Sequence, residues 1–127
     1  MSAGEIFGFG PEAWERAKRE ATRAIVRAGR KDELITYSEL ASQIVSIHIE
    51  PDHFAMNRLL DEISKEGDAA GRGILTALVV LKEDRVPGEG FWANARDIGR
   101  IFTDKLLFWA EEVRRVMEEC KKHPLCP

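Results

Sequence analysis

The chain has 127 residues and a formal net charge of −3, with 44% hydrophobic and 32% charged residues. That length suits one domain, 1–127, with a core that needs no disulfide or metal staples. The mild acidity argues against a generic polyanion binder but leaves room for a local basic patch.

No apolar run is long enough to span a membrane. Residues 1–10 lack the basic-then-apolar order of a signal peptide. Cys120 and Cys126 both fall near the end and are too few for a disulfide framework. A cytoplasmic protein without cofactor or membrane contact is the expectation.

Residues 1–31 read as a loose lead-in followed by a helix. Pro11 suits a first helical position, Glu12 suits the positive helix end, and Gly29 is a good stop. Trp14, Ala17, Ala21, Ile25 and Ala28 recur at three- and four-residue steps. Arg16, Lys18, Arg19, Arg23, Arg27, Arg30 and Lys31 fill the rest, and are expected to surround the helix rather than to form a stripe.

Residues 32–102 hold the expected core unit. Leu34-Ile35-Thr36 is briefly β-prone. Thr36-Tyr37-Ser38-Glu39 has capping-box spacing, with Ile35 and Leu40 as a hydrophobic staple. The helix it starts carries Leu40, Ala41 and Ile44 inward. After an extended connector, Asp52 is expected to cap a helix over 53–66 that Gly67 ends. The apolar run at 74–81 reads as a buried strand. Pro87-Gly88-Glu89-Gly90 reads as the tip of a hairpin, and Phe91-Trp92 as its return strand. A short helix follows from Ala93, closed by Gly99.

Residues 103–127 form an accessory helix and tail. The helix starts at Thr103 or Asp104 and runs to about Lys122. Its stripe is Leu106, Trp109, Val113, Val116 and Cys120. The first and last helices should pack together, with Trp14 against Trp109.

The expected fold is α+β and mostly helical. It is a winged helix-turn-helix core with a small antiparallel sheet and extra N- and C-terminal helices, in a bacterial or archaeal protein. Thr36-Tyr37-Ser38-Glu39-Leu40-Ala41 resembles the Thr-Tyr-x-x-Leu-Ala opening of the helix-turn-helix in O6-alkylguanine-DNA alkyltransferases and alkyltransferase-like proteins. In that family a recognition helix follows, with an arginine that takes the place of a flipped base; Arg58 falls near that position. The nucleophile of the family lies in a Pro-Cys-His-Arg motif. The matching region here is Leu75-Thr76-Ala77-Leu78-Val79-Val80, which has no cysteine and no tryptophan. The resemblance therefore implies DNA binding without alkyl transfer.

The candidate contacts to double-stranded DNA are Arg58 and Lys65 on the second helix of the motif, with Lys82 and Arg85 at the wing. Against them, residues 32–71 hold nine acidic residues and two basic ones, and phosphate binding needs unopposed cations. The alternative is a protein-interaction module with an acidic recognition face. It would form a homodimer or bind a partner through Trp109, Val113 and Met117 of the last helix, and Trp92 is a further candidate for stacking on a base or partner.

Cys120, His123 and Cys126 offer too few ligands for a metal site. His48 and His53, beside Glu50 and Asp52, have the chemistry for acid–base work but read as exposed imidazoles at a helix start. Pro87-Gly88-Glu89-Gly90 lacks the lysine of a phosphate loop. No catalytic residue is assigned.

Overall fold

The computed structural model describes residues 8–51 and 53–122. Helix α1 (Pro11–Arg30) starts behind Gly10. Trp14, Ala17, Ala21 and Ile25 are fully buried on one face. Gly29 does not stop the helix. A Cβ built there would lie 2.6 Å from Cys120 Sγ and 3.0 Å from Leu78 Cδ1, so this glycine lets a second helix close in.

The basic residues do not surround α1. Lys18 is turned inward and nearly buried, while Arg16, Arg19, Arg27 and Arg30 are exposed and Arg23 is half-buried.

Strand β1 (Ile35–Thr36) runs straight into α2 (Tyr37–Gln43). The capping box forms in full. The Glu39 N–H donates to Thr36 Oγ1 at 3.1 Å, and the Thr36 N–H donates to Glu39 Oε1 at 2.8 Å. Ile35 and Leu40 join the same core.

Helix α3 (Phe54–Ala69) follows. Its N-cap is His53, whose Nδ1 accepts the Ala55 N–H at 2.9 Å. Asp52, expected in that role, lies outside the described residues. Gly67 sits inside α3 rather than ending it. It is packed so closely on the Gly73 carbonyl and Leu75 that an added Cβ would come within 3.0 Å of both.

The apolar run departs most from the sequence-based expectation. Leu75–Leu78 forms a 3-10 turn, and only Val79–Val80 is a strand, β2. The sheet is parallel, not antiparallel, pairing Ile35 with Val79 and Thr36 with Val80. Parallel strands require a crossover, and α2 and α3 supply it. The hairpin does not form: Phe91 and Trp92 belong to α4 (Glu89–Ile98), N-capped by Gly88 and closed by Gly99 at φ 103. Helix α5 (Lys105–Lys122) ends the described chain. Asp104 Oδ1 accepts the Leu107 N–H at 3.0 Å at its start.

The main core lies among α1, α2, α3 and the 3-10 turn. A smaller one joins Ile74, Ala77, Phe91, Trp92 and Ala95 to Phe102 and Phe108. Two buried polar contacts brace the 3-10 turn. Ser64 and Thr76 hydroxyls pair at 2.6 Å, and Glu112 Oε2 accepts the Ile74 N–H at 2.8 Å.

Helices α1 and α5 do pack together. Trp14 and Trp109, however, fall in separate clusters. Trp14 Nε1 donates to Glu62 Oε1 at 3.0 Å, and Trp109 Nε1 donates to the Ala77 carbonyl at 2.7 Å. No helix among the described residues is long and apolar enough to cross a membrane.

Candidate nucleic-acid interface

The α2–α3 pair is held at three points. The capping box fixes the entry to α2. Glu20 of α1 then holds the connector: its Oε1 accepts the Val45 and Ser46 N–H groups at 3.0 Å each, and its Oε2 accepts the Ser46 hydroxyl at 2.6 Å. Burial pushes the Glu20 carboxyl up, but these hydrogen bonds and the Arg16 charge outweigh it and leave it below its ordinary value. His53 caps α3 and stacks on Phe54, with ring centroids 4.3 Å apart.

The acidic residues of α3 are engaged within the fold. Glu62 and Glu66 reach back to Lys18 Nζ at 2.8 Å and 2.7 Å. Asp68 pairs with Arg100, and Asp61 with Lys65. Glu62 also accepts the Trp14 indole N–H and the Arg58 Nε–H. Burial alone raises the Glu62 carboxyl, yet the bonds from Lys18, Trp14 and Arg58 hold it below its usual range. Burial lowers Lys18 in turn, and its bonds to Glu62, Glu66 and Glu15 more than reverse this. Phe54, Asn57, Arg58 and Lys65 stand exposed on α3.

Beside that face lies a cleft of about 370 Å³, bounded by Tyr37, Pro51, Asn57, Leu81, Lys82 and the α4 start at Gly88-Glu89-Gly90. A narrow recess continues from Tyr37, Asn57 and Gly90 towards Thr76, Phe91 and Asn94. The Tyr37 hydroxyl accepts the Gly88 N–H at 3.0 Å and so ties the start of α2 to the start of α4. Burial raises the Tyr37 phenol above its ordinary value, partly opposed by that bond.

The loop over 81–88 is closed on itself. The Leu81 N–H donates to the Val86 carbonyl at 2.8 Å, and the Arg85 N–H to the Leu81 carbonyl at 2.9 Å. Arg85 adopts a left-handed φ of 57, uncommon outside glycine. Glu39 lies below its ordinary value mainly through the Thr36 N–H and hydroxyl, with the Arg85 charge adding to this.

Of the four candidate DNA contacts, Lys82 lines the cleft and Arg58 follows the cleft residue Asn57 in sequence. Arg85 stands exposed on the loop, and Lys65 lies on α3 roughly two turns beyond Arg58. Both α3 cations are ion-paired to their own helix, Arg58 Nε at 2.6 Å from Glu62 and Lys65 Nζ at 3.0 Å from Asp61.

Trp92 is buried, with Phe91 and Phe102 against its ring and Lys105 Nζ 5.6 Å from its centroid. Trp109, Val113 and Met117 pack against the cores of this chain rather than standing clear of it. His48 is exposed and bonds Glu50, and His53 is occupied as a cap. Cys120 is buried, His123 and Cys126 lie outside the described residues, and no metal-holding group of side chains occurs among the described residues.

Tyr37 and Asn57 were not singled out as site residues from the sequence. The signals for Tyr37 in the sequence are its place directly after the capping threonine and its match to the tyrosine of the Thr-Tyr-x-x-Leu-Ala resemblance. No family profile, curated protein or solved structure matches the chain.

Proposed function

We propose that this chain is a non-enzymatic DNA-binding protein in which α2 and α3 act as the helix-turn-helix of a winged-helix-like domain. The closed loop over 81–88 stands in the place of a wing, although it is not a hairpin. One observation carries this reading. Three of the carboxylates that crowd α3 in the sequence, Glu62, Glu66 and Asp68, are engaged with Lys18 and Arg100. A face with Asn57, Arg58 and Lys65 is left outward, beside a cleft edged by Lys82. Arg58 and Lys65 have exposed side chains that reach a phosphate by giving up i,i+4 pairs to the half-buried Glu62 and Asp61. Arg58 and Asn57 also have the geometry to read base edges.

In the cleft, Thr36 Oγ1 is taken by the capping box and the Tyr37 hydroxyl by Gly88. Neither is set up as an activated nucleophile, which supports a binding role over catalysis.

Fluorescence anisotropy with a labelled random duplex tests this. Binding is expected at low salt and should weaken steeply at physiological salt. The Arg58→Ala/Lys82→Ala/Arg85→Ala variant should lose about a hundredfold or more, since three contacts of roughly 1 kcal/mol each add to about 3 kcal/mol. An unchanged affinity in that variant would overturn the assignment of this face.

A second reading, as a protein-interaction module, is favoured by one feature. Ile101, Leu106 and Leu107 stand exposed around the start of α5. Failure of any duplex to bind at low salt would turn attention to that patch.

A further inference from the structure

The arginines of α1 are not scattered. Arg16, Arg19, Arg23, Arg27 and Arg30 follow one another at steps of three and four residues. At about 100° per residue they fall within an arc of about 80°, along about 21 Å of helix. The opposite face, with Trp14, Ala17, Ala21 and Ile25, is fully buried. None of the five arginines makes an ion pair within 4.0 Å among the described residues. The acids along α1 are largely committed elsewhere. Glu15 bonds Lys18, and Glu20, which lends some charge to Arg16, is held by Val45 and Ser46. Glu12 stands exposed at the first turn.

We infer that this arginine stripe is a second nucleic-acid surface, which binds the sugar-phosphate backbone of duplex DNA independently of α3. Five guanidinium groups along one helix face, with the single exposed carboxylate of Glu12 in the same arc, repel one another, and a row of phosphates relieves that repulsion. Guanidinium also matches phosphate with two parallel hydrogen bonds, which an ammonium does not. Over about 21 Å, a duplex presents about twelve charges, so each arginine has phosphates within reach. An anionic membrane fits less well, because surface-bound helices insert an apolar face and that of α1 is already buried. A protein partner fits less well too, because interfaces are anchored by apolar or aromatic side chains and no large one stands exposed on α1. Contacts to the sugar-phosphate backbone carry no sequence information, so the stripe's contribution is insensitive to sequence.

The test is the salt dependence of duplex binding by the full chain, from about 50 mM to about 200 mM salt. Each engaged arginine contributes about −0.9 to the slope of log affinity against log salt. The Arg19→Gln/Arg23→Gln/Arg27→Gln variant should therefore lose about 2.7 from that slope, and the corresponding Arg→Lys variant should keep it. Thermal unfolding of both variants checks that the fold is kept. The Arg58→Ala/Lys82→Ala/Arg85→Ala variant should keep the share due to α1.

A wild-type slope and affinity in the glutamine variant would overturn the inference and leave the α3 reading standing. An unchanged alanine variant beside a crippled glutamine variant would do the reverse. Absence of duplex binding by the wild type, or binding to phosphatidylserine vesicles that the glutamine variant abolishes while duplex binding is untouched, would also overturn it.

Discussion

Lys18 and Glu62 show how single side chains decide what the charges of this chain are free to do. Lys18 lies on the buried side of α1, where an ammonium survives only if paired. Three carboxylates meet it, at 2.7–3.0 Å. Lys18 is raised above 10.5 in the folded chain, so its contribution is full below that pH and is lost as pH rises through the folded value. Glu62 is lowered below 4.5, so its contribution is full above that pH and is lost as pH falls through the folded value. Glu62→Gln should cost about 2 kcal/mol near neutrality, because three donors lose a charged acceptor. Its melting temperature should also fall less steeply than that of the wild type on acidification below 4.5. Parallel curves in thermal scans at stepped pH would show that Glu62 is not the titrating group. This pairing was hidden in the sequence, where Lys18 looks like any other basic residue of an amphipathic helix.

At the scale of elements, Gly29 and the apolar run make the same point from opposite directions. Gly29 reads as a helix stop, yet its role is to let α5 and the 3-10 turn close on α1. Gly29→Ala would ordinarily gain about 1 kcal/mol of helix propensity. Here its Cβ meets Cys120 Sγ at 2.6 Å, and overpacking of that kind costs about 1–3 kcal/mol. Denaturant unfolding should show a net loss, partly restored in Gly29→Ala/Cys120→Ala. A gain in the single variant would mean that α5 is less tightly seated than described.

The capping box, α1 and the body of α5 were legible because their signals are local: a threonine with a glutamate three residues on, a proline at a first turn, an apolar stripe, of which Leu106 alone stands exposed. The run at 74–81 was not, because a buried 3-10 turn and a buried strand bury the same side chains. Gly88-Glu89 reads as a hairpin tip, although a glycine N-cap followed by an acid is equally a helix start. With α4 in place of a return strand, Trp92 belongs to a helix and packs in the second core. The cleft was illegible for a different reason. Tyr37, Asn57, Lys82 and Gly88 meet only through the parallel pairing of β1 with β2 and the docking of α4.

For the whole molecule, a net charge of −3 conceals how the charges are distributed. The carboxylates of α3 are turned into ion pairs, and the arginines of α1 are turned outward without them. A chain that is acidic on average thus carries a row of arginines on α1, while Lys82 and Arg85 share their loop and cleft with the exposed Glu83, Asp84 and Glu89. The most direct measurement is backbone amide NMR of the full chain titrated with a short random duplex at low salt. Shift changes are expected along the outer face of α3, in the loop over 81–88 and along the α1 arginine stripe, with the amides of the 3-10 turn unmoved. Shifts confined to the exposed leucines at the start of α5, or no shifts at all, would contradict it.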